Sequence, residues 1–166
     1  MDLTLPVDSI AIAAVLCCAL VAGLLFSFAV VVMPGFRGLG DHEFLSAFRA
    51  VDGVIQAGQP VFLAVWAGSA VLPVLAVVVR LLSEGGPGPG LLVAAAAVSV
   101  VGVHLPTVAV NIPLNNRLQA VDVGVLDGPG AERVRVGFES RWTRWNLART
   151  VASVVAVLLL VLALAG

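Results

Sequence analysis

The sequence predicts an all-α fold, an integral membrane four-helix bundle with a helical hairpin extension between the third and fourth spans. Three observations carry this. Hydrophobic residues make up 60% of the chain and charged residues 11%, and the mean hydropathy of +1.09 lies outside the range of soluble domains. Four apolar windows are each long enough to cross a hydrocarbon core, which needs about 20 helical residues. The polar residues inside and just beneath these windows recur at helical spacing. The basic residues are nine arginines and no lysine. They gather in two loops, which bears on orientation and gives no reason to expect nucleic acid.

The chain reads as a single transmembrane domain over residues 1–166. The first span covers about Ser9–Met33. Asp8 and Ser9 offer it an N-cap, and Pro34-Gly35 ends it. Ala19, Gly23 and Ser27 form a small-residue stripe suited to close helix packing. Cys17 and Cys18 point about 100° apart on this helix and read as small packing residues. Met1-Asp2-Leu3-Thr4 lacks the basic region of a secretory signal, so the first helix is expected to stay in the mature protein.

The second span covers about Gln59–Val79, and Gly85-Gly86-Pro87-Gly88-Pro89-Gly90 reads as the turn into the third, Leu91–Asn111. Beyond it, Leu118, Val121 and Val125 keep helical spacing, Gly128-Pro129-Gly130 makes a turn, and Val134, Phe138, Trp142 and Trp145 resume the pattern into the fourth span, Trp145–Ala165. The first loop carries Arg37 and Arg49. The third carries Arg117, Arg133, Arg135, Arg141 and Arg144, and only Arg80 lies opposite. The positive-inside rule then predicts a multi-pass cell-membrane protein with loops one and three cytoplasmic and both termini outside.

Three segments carry polar residues on one helical face. In the third span His104, Asn111 and Asn115 recur at i, i+7, i+11, with Pro106 and Pro113 each removing a backbone donor. Entering the fourth, Trp142, Asn146 and Arg149 lie at i, i+4, i+7. Before the second, Asp52, Gln56 and Gln59 repeat that spacing. Each stripe has a plain structural reading: a histidine bonded to a neighbouring helix, asparagines at the end of a span, an interfacial tryptophan, a snorkelling arginine, an acid in a solvated first turn. Polar groups at this depth are costly, however, and a single pocket accounts for all three stripes.

The sequence Asn111-Ile112-Pro113-Leu114-Asn115-Asn116-Arg117-Leu118, answered by Arg141-Trp142-Thr143-Arg144-Trp145-Asn146-Leu147-Ala148-Arg149, resembles a small four-helix membrane family that includes the fungal anthrone oxygenases and is also catalogued as a domain of unknown function. Met33-Pro34-Gly35 and Phe48-Arg49-Ala50-Val51-Asp52 share in the resemblance. It implies an anthrone oxygenase-like monooxygenase that uses O₂, with no bound metal or flavin, to convert an anthrone-type polyphenol to a quinone. The sequence agrees in lacking a Cys/His ligand cluster and a dinucleotide-binding glycine fingerprint; its two histidines are His42 and His104. Such chemistry needs a base and oxyanion donors. His104 is the expected base and Asp52 the next choice. Gln56, Gln59, Asn111, Asn115, Trp142, Asn146 and Arg149 are the expected substrate-binding residues.

The expected partners are the lipid bilayer and a lipophilic aromatic small molecule, and an oligomer is compatible with the sequence. A different class of reading is a non-catalytic small membrane protein, an assembly partner or permease-like component, whose stripes serve helix association. A quinone- or haem-linked redox subunit is a third, resting on the lone span histidine.

Overall fold

A computed structural model of the chain describes residues 4–83 and 88–166, with the backbone alone for residues 4–6. Every regular element among them is helical: α1 (Thr4–Ser27), α2 (Met33–Arg37), α3 (Asp41–Gln56), α4 (Pro60–Leu82), α5 (Gly90–Ala97), α6 (Ile112–Gln119) and α7 (Gly128–Ala165), with short π and 3-10 segments between some of them. Four continuous helical stretches, Val7–Arg37, Pro60–Leu82, Gly90–Gln119 and Gly128–Ala165, are long and apolar enough to cross a membrane. The chain is a multi-pass four-helix bundle. Residues 84–87, which hold part of the expected glycine–proline turn, lie outside the described residues, as do Met1–Leu3.

The first span runs past both of its expected ends. Asp8 and Ser9 lie within α1, and Pro34-Gly35 lies within α2. A π segment, Phe28–Val32, joins the two, and Pro34 falls in the first turn of α2.

At the end of the bundle away from α3, most of the buried residues are small, with Leu92 and Leu160 among them, and many large ones face outward. Ala11, Ala14, Cys18, Ala76 and Ala95 are buried, while Leu16, Leu20, Leu81 and Leu82 are exposed. Lipid tails solvate leucine as well as a core does, so close backbone approach decides which residues go inside. The Ala19–Gly23–Ser27 stripe is not part of this packing. It lies on the exposed face, and the buried one is formed by Ala11, Ala14, Cys18 and Ala22. The tightest seam joins the third and fourth spans at Gly102, where an added Cβ would lie 2.7 Å from the Ala152 Cβ. Gly102→Leu is expected to force these helices apart and to lower the unfolding midpoint in detergent, at a cost of about 1–3 kcal/mol. Unchanged thermal unfolding would show that the seam gives way freely.

The opposite end is built differently. Helix α3 is amphipathic and lies across the end of the bundle, burying Phe44, Leu45, Phe48 and Asp52. Its aromatics meet Phe28, Phe138 and Trp142 in one cluster, with Phe48 and Phe138 ring centroids 4.6 Å apart and Phe48 and Trp142 5.1 Å apart. Outside the cluster, Arg135 binds Asp41 at 3.0 Å and Glu139 at 2.9 Å, and Arg37 binds Glu139 at 3.0 Å. Helix α3 ends before Gly58, whose φ of 81° reverses the chain, and Gln59 then caps α4 by accepting from the Phe62 N–H. Asp52 and Gln56 are therefore on one helix and Gln59 on the next, which breaks the expected i, i+7 stripe.

The hairpin extension is present, with its turn displaced. Helix α6 stops at Gln119, and a 3-10 turn at Val123–Val125 leads to Asp127, which caps α7 by accepting from the Gly130 N–H at 2.7 Å. Gly128-Pro129-Gly130 thus opens the helix instead of turning the chain, because an aspartate cap followed by proline is a helix start. From there α7 is one rod of 38 residues.

Candidate functional site

Between the small-residue half and the aromatic half lies a cavity of about 210 Å³. Its wall is mostly apolar, with Val21, Leu24, Leu25 and Phe28 from the first span, Phe48 and Ile55 from α3, Phe62, Leu63 and Trp66 from α4, and Val103 and Ile112 from the third span. The polar members are Asp52, Thr107, Asn111, Asn115, Trp142, Asn146 and Arg149. The structure thus brings six of the expected residues to one wall: Asp52, Asn111, Asn115, Trp142, Asn146 and Arg149.

At the α3 end sits the Asp52 carboxylate, 5% exposed. Its Oδ1 accepts from Asn115 Nδ2 at 2.7 Å, and its Oδ2 accepts from Gln56 Nε2 at 2.7 Å and Gln119 Nε2 at 2.9 Å. Asn115 in turn accepts from the Trp142 indole N–H at 2.8 Å, which fixes its amide orientation. Gln119 also donates to the Arg49 carbonyl oxygen at 3.0 Å, so α3 and α6 are laced together around the carboxylate.

About 12 Å away along the third helix, by helical rise from Asn115 to Thr107, is a buried cation. Arg149 is 5% exposed, donates to Thr107 Oγ1 at 2.9 Å and Asn146 Oδ1 at 3.0 Å, and keeps its Nε–H without a partner. Asn146 is held by donating to the Leu25 carbonyl oxygen at 3.0 Å, just before the first-span π segment. Neither Asp52 nor Arg149 has an ion-pair partner among the described residues. A lone charge in such a place is costly, and both are held here by neutral groups alone.

Asn111 lies between them on the same helix. It is 2% exposed, and neither its Oδ1 nor its Nδ2 has a hydrogen-bond partner. An unpaired buried donor or acceptor costs about 1–3 kcal/mol, and here both polar atoms of one amide in the cavity wall are unpaired.

The remaining expected residues lie elsewhere. His104 is buried but does not line the cavity; its ring packs against Trp66, which does, with centroids 5.2 Å apart. Ser69 Oγ already donates to the Trp66 carbonyl oxygen, so His104 Nε2 donates to Ser69 Oγ at 3.2 Å, leaving Nδ1 without a partner. Gln56 bonds Asp52 from outside the wall, and Gln59 is occupied as the α4 cap. His42 faces the Leu126 carbonyl oxygen at 3.0 Å, outside the cavity.

The structure also enlists residues that the stripes left out. Thr107, Asn111, Asn115 and Gln119 stand four residues apart and form the actual polar face of the third span. That spacing is present in the sequence, but the i, i+7, i+11 count from His104 takes in Asn111 and Asn115 and passes over Thr107 and Gln119. Trp66 was marked only by its place in mid-span, away from the interfacial zone where tryptophan is usual.

A family model described as Anthrone oxygenase matches residues 52–159. The match begins at the buried carboxylate and takes in every polar residue of the cavity wall. Comparisons with curated proteins and with solved structures give no significant match.

Proposed function

Since the chain belongs to the anthrone oxygenase family, we propose that it uses O₂ to oxidise a lipophilic polyphenol of the anthrone type to a quinone, and that the cavity is where this happens. The observation that carries the reading is the unpaired Asn111 amide, set between a carboxylate and a guanidinium that lack partners of opposite charge.

In this reading Asp52 removes a proton from the ring CH₂ that lies opposite the substrate carbonyl. The negative charge passes to the carbonyl oxygen, where Arg149 and Asn111 donate hydrogen bonds to it. The electron-rich anion reduces O₂, a C–O bond forms at the same carbon, and loss of the second hydrogen with cleavage of the O–O bond releases water. The balance is R₂CH₂ + O₂ → R₂C=O + H₂O, with no external reductant required. No group of three or more His, Cys, Asp or Glu is gathered among the described residues, and the steps above use only side chains of the cavity wall. Asp52 takes the role of base ahead of His104 because it lines the cavity and His104 does not. The arginines of loops one and three support a cytoplasmic position for the Asp52 end.

Purified protein supplied with an anthrone is expected to consume one O₂ per quinone formed, and ¹⁸O₂ is expected to leave one labelled oxygen in the quinone and the other in water. An absence of protein-dependent uptake across a panel of hydroxylated anthrones would overturn the reading.

A further inference from the structure

Helix packing around the cavity is uneven. Val21, Leu25 and Val103 pack together at its deep end, and the Phe28–Phe48–Trp142 cluster closes the α3 end. Laterally, α1 is packed against both α4 and α7, and α7 against the whole of the third span. The fourth lateral side differs. Helix α4 packs on α5 and on Val98–His104, whereas no comparable packing joins it to Thr107–Asn111 or α6. The gap lies where the cavity is. Leu63 of α4 and Ile112 of the third span line the cavity and are 44% and 40% exposed, ahead of Leu24 of α1 at 36%, the other exposed residue of its wall. Gly58 and Pro60 set where α4 begins, and with it the position of Leu63, one turn into the helix.

We propose that this gap is a lateral portal through which an aromatic substrate dissolved in the bilayer enters and its product leaves, with Leu63 and Ile112 as its two jambs. The inference rests on the cavity being the binding site named above and is independent of the chemistry assigned to it. Both jambs are apolar, so the route suits a flat molecule already in the hydrocarbon phase and excludes a charged one coming from water. Asn111, one residue before Ile112, is the first polar group such a molecule meets.

The test uses the full chain with Cys17→Ala and Cys18→Ala, carrying Leu63→Cys and Ile112→Cys, in phosphatidylcholine vesicles. The two thiols are joined by bifunctional methanethiosulfonate linkers of several lengths. Binding is read as quenching of tryptophan fluorescence, to which Trp66 and Trp142 of the wall contribute, by 1,8-dihydroxyanthraquinone delivered in the lipid. Linking is expected to slow quenching by about tenfold or more, and cleaving the linker with dithiothreitol to restore it. Equal rates in linked and cleaved protein would place the entrance elsewhere. Failure of any linker to join the pair would show that the residues do not face one gap, and no saturable quenching of the unlinked protein would remove the cargo; each overturns the portal. Gated quenching without O₂ uptake would leave the portal standing and count against the oxygenase reading.

Discussion

Arg149→Leu is expected to lower kcat by about 100- to 1,000-fold, the usual loss when one preorganised oxyanion donor is removed. The same change is expected to leave the unfolding midpoint in detergent nearly where it was. Two opposing terms produce that second result. The substitution gives up hydrogen bonds to Thr107 and Asn146, each worth about 1.5–3 kcal/mol for a charged donor. It also removes a guanidinium whose burial, with no carboxylate beside it, costs several kcal/mol. Arg149→Lys should recover part of the turnover, since it keeps the charge and loses the planar fork that reaches two acceptors at once. Oxygen uptake and thermal unfolding measured on the same preparations check this. If the leucine variant unfolds early and its folded fraction turns over normally, Arg149 is a strut and the oxyanion role is lost.

Asp52 separates a chemical role from a structural one through two substitutions. Asp52→Asn keeps an oxygen for the Gln56 and Gln119 donors but sets its NH2 against the Asn115 NH2, so α3 and α6 stay laced through Gln119 while the Asn115 bond is lost. Turnover should still fall by about 100- to 10,000-fold, because an amide cannot accept the substrate proton. Asp52→Ala removes the acceptor altogether and should also destabilise the protein by about 2 kcal/mol or more, since the Asn115 NH2 loses its acceptor and Gln119 keeps only its bond to the Arg49 carbonyl oxygen. Retained oxygen uptake in Asp52→Asn would exclude Asp52 as the base and return attention to His104, which would then have to reach the cavity past Trp66.

Much of the architecture was legible in the sequence, because a bilayer imposes length and hydropathy so strictly that four windows announce themselves. The cavity wall was largely legible for a related reason: six polar residues recur at spacings that a helix turns into faces. What was not legible arose where the helix departs from its regular period. The π segments at Val98–His104 and Thr107–Asn111 change the number of residues per turn, so a stripe drawn at constant period from His104 to Asn111 joins residues with different surroundings. The same irregularity carries the first span through Pro34-Gly35. Gln59 was misplaced by continuity, since nothing in an i, i+7 count marks the left-handed turn at Gly58. Gln119 went unnoticed because it follows the last apolar window, where a polar residue needs no explanation until a buried carboxylate is found beside it.

Gln56 carries a consequence of its own. It is exposed, yet it holds one oxygen of a carboxylate that is almost wholly covered. The acid is therefore one side chain from the protein surface on the α3 side, apart from the gap between Leu63 and Ile112. A protein arranged in this way keeps two kinds of traffic apart. Under the proposed reading, protons would reach the acid at one wall and the aromatic compound would enter through another.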